Sequence, residues 1–206
     1  MGLTSSDSKI NGSLSEIQDA LNQSYFNDPD TRPQNPYYQN SAELQPLNKV
    51  TKKWENGKWI KDETNSFRLN ACNFMSYLFI VQDFTDYNFS LSEIATITAY
   101  SQMTTNPTNS SEKCMLDDYN VRNPDVIMNK AFEMTGHPEL TATVGYDIGD
   151  LPCRTYTNIK VLTELNNEHR VVGDFEGNVI FNPWKDGIIK NKKETVLIYI
   201  HGVIQE

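Results

Sequence analysis

A cysteine at the start of an apolar run is the first residue of this sequence that could do chemistry. Cys72 lies in FRLNACNFMSYLFIVQDF, residues 67–84, where apolar side chains recur with helical spacing. With Asn70 as the N-cap, we expect a helix that runs to about Asp83 and holds Cys72 in its first turn. Unpaired N–H groups and the helix macrodipole favour an anion there, which lowers the pKa of a thiol. The alternative is a small buried cysteine in the core.

A nucleophilic thiol needs a base, and the chain has three histidines. His137 follows a predicted helix stop, and His201 lies inside the last predicted strand, where it would be a hydrogen-bonded sheet residue. His169 begins the segment EHRVVGDFEGNVIFNPW, in which DFEG favours a type I turn followed by a left-handed glycine. That hairpin would bring His169 opposite Asn182, give or take one residue, and an amide oxygen can orient an imidazole. The alternative is an ordinary hairpin with a surface histidine.

The order of these features resembles the papain-like cysteine peptidase superfamily, and more closely its C39-like and NlpC/P60-like branches. The resemblance covers about residues 65–206 and rests on NACNFMSYLF, EHRVVGDF and VIFNPW. The layout is also similar to that of a small phage- and plasmid-associated family. The resemblance implies that Cys72 is the nucleophile, His169 the general base and Asn182 the group that orients it.

The chain departs from this family pattern at two places. Many members have a glycine after the cysteine, where this chain has Asn73. Many have an upstream glutamine as oxyanion donor, where this chain offers Ser66 with Asn65 beside it. The backbone N–H of Cys72 would contribute to an oxyanion hole. Asn65, Ser66 and Asn70 are the candidate side-chain donors.

Tryptophans are the candidate substrate-binding residues. The segment 51–64 contains an Asn-Gly pair, the strongest short hairpin signal, which would place Trp54 opposite Trp59 and Glu55 opposite Lys58. An exposed pair would form a platform for a sugar or peptide, whereas a covered pair would pack on the domain. Trp184, next to the candidate Asn182, is the third candidate for substrate binding.

The order of predicted elements indicates an α+β domain behind an N-terminal arm. Residues 1–50 are predicted to be an extended arm with one helix from Leu14 to about Phe26, lying on the body or on a protein partner. Residues 51–206 are predicted to be a papain-like hydrolase domain, in which the nucleophile helix packs on a C-terminal antiparallel sheet. Its parts are the Trp hairpin 51–64, a helical part 65–140 and the sheet 141–206.

Capping and periodicity define the elements of that domain. Ser90 and Glu93 form a predicted capping box for a second helix, and Asn123-Pro124 begins a third that stops at Gly136. A polar loop is predicted between these two helices. From Thr141 onward the apolar period becomes two, and five strands follow.

Composition excludes several classes of function. The formal net charge of −9 and pI near 4.8 argue against binding nucleic acid or an anionic membrane. No residues have metal-ligand spacing and no glycine-rich phosphate loop is present, so we expect no cofactor and no metal. The three cysteines form no disulfide framework, although a Cys114–Cys153 bridge remains open.

The N-terminus has no apolar region of the kind that a secretory signal needs. We therefore expect a protein that is cytoplasmic as synthesised. It would leave the cell by non-Sec export, by association with a virion or by release on lysis.

The leading prediction is a thiol-dependent amide hydrolase that cuts a protein or a peptidoglycan peptide through an acyl-enzyme. Transamidation on the same residues is a further alternative. A prediction from a different class is a non-enzymatic interaction or structural protein, of phage virion or effector type, with an inactive papain-like core. In that case the arm and the Trp hairpin would dock on a partner.

Overall fold

A computed structural model describes the chain at residues 35–44, 47, 53–55, 58–60, 67–145, 155–163, 167–185 and 187–202. Helices lead and an antiparallel sheet follows, which is the α+β order that the sequence predicts. The predicted helix from Leu14 to about Phe26 lies outside the described residues. The described helices are α1 (Phe67–Asn70), α2 (Cys72–Thr85), α3 (Leu91–Met103) and α4 (Pro124–Met134).

Side-chain caps start α3 and α4, as the sequence predicts. Ser90 Oγ accepts from the Glu93 N–H, and the Glu93 carboxylate accepts from the Ser90 N–H at 2.8 Å, which is a complete capping box. Asn123 Oδ1 accepts from the Val126 N–H at 3.1 Å at the start of α4. Gly136 follows α4 with φ +86°, a conformation that side chains disfavour.

The cap predicted at Asn70 is wrong. Asn70 is the last residue of α1, and the N-cap position of α2 is Ala71, whose methyl group cannot accept a hydrogen bond. The Ala71 N–H donates to Phe67 O at 3.0 Å, and Met75 N–H donates to Ala71 O at 2.8 Å. The backbone therefore passes from α1 into α2 through consecutive helical turns and needs no side-chain cap.

Nine described strands form three antiparallel sheets. The strands are β1 (Lys53–Glu55), β2 (Lys58–Ile60), β3 (Thr105–Asn106), β4 (Asn109–Lys113), β5 (Thr141–Gly145), β6 (Thr155–Thr163), β7 (Glu168–Gly173), β8 (Val179–Phe181) and β9 (Ile189–His201). The main sheet has the strand order β5-β9-β6-β7-β8. β9 begins at Ile189 and is therefore longer than its apolar run predicts.

Two of the three sheets are small hairpins. β1 and β2 pair with Trp54 opposite Trp59 and Glu55 opposite Lys58, in the predicted register. Their turn and their side chains lie outside the described residues. β3 and β4 form a second hairpin where the sequence predicts a polar loop, so that prediction is wrong. Lys113 Nζ donates to Met103 O at 2.9 Å, which ties this polar hairpin to the end of α3.

The helices cover one face of the main sheet. α2 packs on β7 and on α4, and α4 packs on β5. The main core contains residues of both layers, including Leu78, Phe132, Val172 and Ile198. A smaller apolar cluster of Ile159, Val161 and Val171, with Ile189 packed against it, lies on the other face. Burial of each such side chain stabilises the fold by about 1.5–3 kcal/mol before entropy is counted.

Part of the predicted N-terminal arm lies on the body of this domain. Leu44 and Leu47 are each 1% exposed and belong to the main core. Tyr119 Oη donates to Leu47 O at 3.1 Å. No helix in the described part of the chain has the length and apolar character that crossing a membrane requires.

Candidate active site

The β7–β8 hairpin brings His169 and Asn182 together. The turn closes with the Gly177 N–H donating to Asp174 O at 3.0 Å, and Gly177 has φ +78°, as the DFEG segment predicts. A register shift at Val172/Gly173 makes the bulge that accompanies this turn. His169 Nε2 then lies 2.8 Å from Asn182 Oδ1.

The contacts of Asn182 determine which tautomer His169 adopts. Asn182 Nδ2 donates to Gly187 O at 3.0 Å, and Asn182 Oδ1 accepts from the Trp184 N–H at 3.1 Å. These two bonds orient the amide with its oxygen toward the imidazole. An amide oxygen can only accept, so His169 Nε2 must carry the proton and Nδ1 keeps its lone pair.

The imidazole of His169 is also kept neutral. The residue is 7% exposed. Burial lowers the pKa of His169 below its ordinary 6.5, and the hydrogen bond to Asn182 opposes this by raising it. A neutral ring with a free Nδ1 is the form that a general base requires.

The first turn of α2 lies against the backbone of β7. The backbone N–H of Arg170 donates to the thiol of Cys72. One turn later, Ser76 Oγ donates to Arg170 O at 3.4 Å. Residues four apart lie on one face of a helix, so one face of α2 binds both backbone groups of Arg170.

The shortness of β8 leaves room for this contact. β8 pairs with β7 only at Val172 and Gly173, whereas Arg170 lies farther along the same edge of β7. Because Arg170 directly follows His169, the thiol lies against the peptide that joins these two residues. Side chains alternate along a strand, so His169 shares a face with Val171 while Arg170 faces the helical layer. The thiol, which accepts from the backbone of Arg170, thus lies at the edge of β7 beyond the paired residues of β8.

The expected lowering of the thiol pKa is wrong in direction. Burial raises the pKa of Cys72 above its ordinary 9.0, and this outweighs several lowering contributions. Those are hydrogen bonds from the backbone N–H groups of Arg170, Asn73 and Cys72 itself, and the positive charge of the Arg170 side chain. The helix N-terminus does favour the thiolate, as the sequence suggests, but loss of water is the larger effect. Near neutral pH each group is therefore uncharged at rest, Cys72 as a thiol and His169 as an imidazole.

Asn73, where the resembled family has a glycine, has a tertiary partner. Asn73 Oδ1 accepts from Asn158 Nδ2 at 2.9 Å, and Asn158 is fully buried on the central strand β6. Asn158 Oδ1 lies 3.5 Å from Arg170 Nη1, and Arg170 also pairs with Glu194 at 3.7 Å. A polar network therefore ties the start of α2 to three strands.

The residues after Asn182 pack closely on one another. A Cβ added to Gly187 would lie 3.1 Å from Trp184 O and 3.2 Å from Asn182 Nδ2, so a side chain there would require a small shift of the Trp184 backbone or of the Asn182 amide. The guanidinium of Arg68, on α1, lies 5.9 Å from the centre of the Trp184 ring. Trp184 is half-buried, and the cation–π contact links it to the helix that precedes Cys72.

The other predicted residues and histidines have no described contact with Cys72, His169 or Asn182, or lie outside the described residues. Asn70 is at the end of α1, next to Ala71. His137 Nδ1 meets Glu139 Oε1 at 3.0 Å, and His201 Nε2 meets Thr143 Oγ1 at 3.0 Å. Asn65 and Ser66, and the side chains of Trp54 and Trp59, are outside the described residues.

The cysteines other than Cys72 give no disulfide in the described structure. Cys114 is a free, buried thiol whose Sγ lies 3.7 Å from Thr105 O. Cys153 is outside the described residues. Within the described ranges, His, Cys, Asp and Glu side chains form no group of three or more that could hold a metal ion.

Comparisons of the chain with models of known protein families, with curated proteins and with solved structures gave no match. The order of helices and strands by itself defines the class of the fold, which is α+β with a C-terminal antiparallel sheet. The chemistry of the site has to be argued from its own geometry.

Sequence reasoning missed several residues of the site. Arg170, Ser76 and Asn158 act through backbone or tertiary contacts, and their types and spacing carry no motif. Gly187 had a weak signal, since a glycine shortly after Pro183-Trp184 is compatible with a close backbone approach.

Proposed function

We propose that the protein is a thiol-dependent amide hydrolase with a papain-like arrangement of Cys72, His169 and Asn182. The observation that carries the proposal is the fixed tautomer of His169. Asn182 Oδ1 accepts a hydrogen bond from the Nε2–H, with 2.8 Å between nitrogen and oxygen, which leaves Nδ1 as the basic nitrogen. Nδ1 is the ring nitrogen nearer to the main chain, and the thiol lies against the main chain at the next residue.

The reaction would begin from the neutral pair. His169 Nδ1 takes the thiol proton as the sulfur of Cys72 attacks the amide carbonyl, forming a C–S bond and placing the π electrons on the oxygen. The imidazolium then gives its proton to the amine as the C–N bond breaks and a thioester remains. Water, deprotonated by the same imidazole, attacks the thioester, releasing the acid and the thiol. Asn182 keeps the ring oriented through both steps.

The substrate class that fits this chemistry is a protein or a peptide, including the peptide part of a bacterial cell wall. The net charge of −9 makes an anionic wall polymer the less favourable of these. Release from the cell by a route other than a secretory signal, or assembly into a virion, would bring such an enzyme to an outside substrate.

A second candidate function is a non-enzymatic interaction protein built on an inactive core. The observation that favours it is the raised pKa of Cys72, because burial keeps the sulfur as a poorly reactive thiol. In that case His169 and Asn182 would only stabilise the hairpin.

The two candidates are separated by the reactivity of Cys72. We would measure labelling by a peptidyl vinyl sulfone, which reacts covalently with the nucleophilic thiol of cysteine hydrolases. The full-length wild type would be compared with Cys72→Ala and Cys114→Ala. The hydrolase predicts labelling that is lost in Cys72→Ala and kept in Cys114→Ala, which removes the buried thiol of Cys114.

The rate of alkylation by iodoacetamide extends this test to the base. The hydrolase predicts that replacing His169 slows alkylation of Cys72 near neutral pH. A wild type that the vinyl sulfone does not label, with an alkylation rate indifferent to His169, would support the inactive core instead.

A further inference from the structure

Three residues of the N-terminal segment, Tyr38–Asn40, contact residues that lie before and after Asn182 in the chain. We name these three residues the strap. The Gln39 N–H donates to Pro183 O at 2.8 Å. Asn40 Nδ2 donates to Lys185 O at 3.4 Å, and the Lys185 N–H donates back to Asn40 Oδ1 at 3.2 Å. The strap thus binds the backbone of the residues that directly follow Asn182.

The residue before Asn182 is bound from two sides of the molecule. The ring of Phe181 stacks with Phe79 of α2 at 4.1 Å between centres. It also stacks with Tyr38 of the strap at 5.6 Å. Asn182 therefore sits between two contacts of the strap, one to Phe181 and one to Pro183.

The side chain of Gln39 reaches the other half of the site. Its Nε2 donates to Arg68 O at 2.7 Å, on the short helix that leads to Cys72. Gln39 is 1% exposed, and its Oε1 has no hydrogen-bond partner among the described residues. A buried unsatisfied acceptor costs free energy, so its presence needs an explanation. A requirement to hold the 181–185 segment close to α1, which leads to Cys72, provides this explanation.

The strap is itself anchored in the fold. The Tyr38 N–H donates to Ser41 Oγ at 3.0 Å, and the Ser41 N–H donates to Tyr38 O at 2.9 Å, which closes a tight turn. Leu44 then enters the main core. A segment held at this end can restrain the residues that it contacts.

We infer that the strap is a positioning element for the imidazole of His169. It holds the 181–185 segment against α1, the short helix that leads to Cys72, and this keeps the Asn182 oxygen on His169 Nε2. Without it, Asn182 could turn away, and the proton of His169 would be free to move to Nδ1, which abolishes the basic nitrogen beside the thiol. The inference rests on the proposed hydrolase function and adds the N-terminal segment to its site.

The test uses the full chain with Gln39→Met and Asn40→Ala. Methionine keeps the volume of Gln39 and removes both its donor and its unsatisfied Oε1, so the melting temperature should stay near that of the wild type. Asn40→Asp keeps the acceptor for the Lys185 N–H but loses the donor to Lys185 O, so it serves as a partial-rescue variant. Gln102→Met is the matched control, because Gln102 is a second buried glutamine with an unpartnered Oε1 among the described residues.

Two readouts are compared. The first is the His169-dependent rate of Cys72 alkylation by iodoacetamide, which we expect to fall about 10-fold in Gln39→Met and Asn40→Ala, since small misplacements cost large factors in rate. The second is the ¹⁵N spectrum of histidine, in which His169 of the wild type should show the Nε2–H tautomer. In both variants we expect a mixture of tautomers. Asn40→Asp should fall between Asn40→Ala and the wild type in both readouts, and Gln102→Met should keep the wild-type spectrum and rate.

The strap inference is overturned if Gln39→Met and Asn40→Ala keep the wild-type tautomer. It is also overturned if they keep the wild-type alkylation rate while His169→Ala lowers it. An alkylation rate that does not respond to His169→Ala removes the hydrolase instead, and the tautomer spectrum still decides whether the strap positions the ring.

Discussion

His169 and His201 lie in the same antiparallel sheet, and each brings Nε2 to a side-chain oxygen, Asn182 Oδ1 at 2.8 Å or Thr143 Oγ1 at 3.0 Å. The two oxygens differ in what they can do. An amide oxygen only accepts, whereas a hydroxyl can donate or accept. Only His169 therefore has its tautomer set by its partner. The side chain that hydrogen-bonds to the ring, Asn182 or Thr143, therefore decides which of the two histidines is a candidate base.

The two histidines also lie at opposite ends of the sheet. His169 pairs with Val161, and Val161 pairs with Lys192 of β9. His201 is at the far end of that strand, about 30 Å away at about 3.3 Å per residue. Changes at one histidine should leave the other undisturbed, which makes His201 and Thr143 matched controls for His169 and Asn182.

The largest change in the alkylation rate of Cys72 should come from substituting the histidines themselves. We expect His169→Ala to slow alkylation of Cys72 near neutral pH by about 10²-fold, the lower range for loss of a general base. His201→Ala should leave the rate at its wild-type value, because His201 is remote from the thiol. Stopped-flow or mass-spectrometric alkylation rates would measure both. Equal losses in the two variants would mean that the difference between the histidines has no chemical consequence.

A smaller effect should come from their partners. Asn182→Ala removes the acceptor of the Nε2 proton, so both tautomers become populated, and we expect alkylation to slow by about 10-fold. Thr143→Val, which removes the hydroxyl beside His201, should have no effect on the rate. The same alkylation assay applies, and a Thr143→Val rate as slow as that of Asn182→Ala would contradict the assignment.

The smallest effect should appear in stability against acid. The pKa of His169 is lowered by burial, so the unfolded chain takes up a proton near the ordinary value of 6.5 and the folded chain does so only at a lower pH. The free energy of unfolding should therefore fall as pH decreases through that value. His169→Gln removes this titration, so its free energy of unfolding should fall less between about pH 7 and about pH 5 than that of the wild type.

Urea unfolding at several pH values measures this difference. His201→Gln is the control at the other end of the sheet. A His169→Gln protein with the same acid sensitivity as the wild type would show that His169 is not the group responsible.

Much of the fold could be predicted because its signals are local. The capping box at Ser90 and the cap at Asn123 depend on residues within one helical turn, and both predictions are confirmed. The turn at Gly177 likewise depends on four adjacent residues. The β3–β4 hairpin was missed because its strands are short and polar and lack the alternation that marks a half-buried strand.

The sequence by itself determined the α+β order and the β7–β8 hairpin. These follow from turn geometry and from a period of two along the strands. The predicted meeting of His169 and Asn182 occurs through their side chains, although the register pairs Val172 with Phe181 and so places Asn182 level with Val171. Only the tertiary structure decided the surroundings of Cys72, because desolvation depends on every group packed around the sulfur. It also decided the contacts of Asn73 with Asn158 and of Gln39 with Arg68. Those pairs are far apart in the chain, and nothing in local sequence encodes such a meeting.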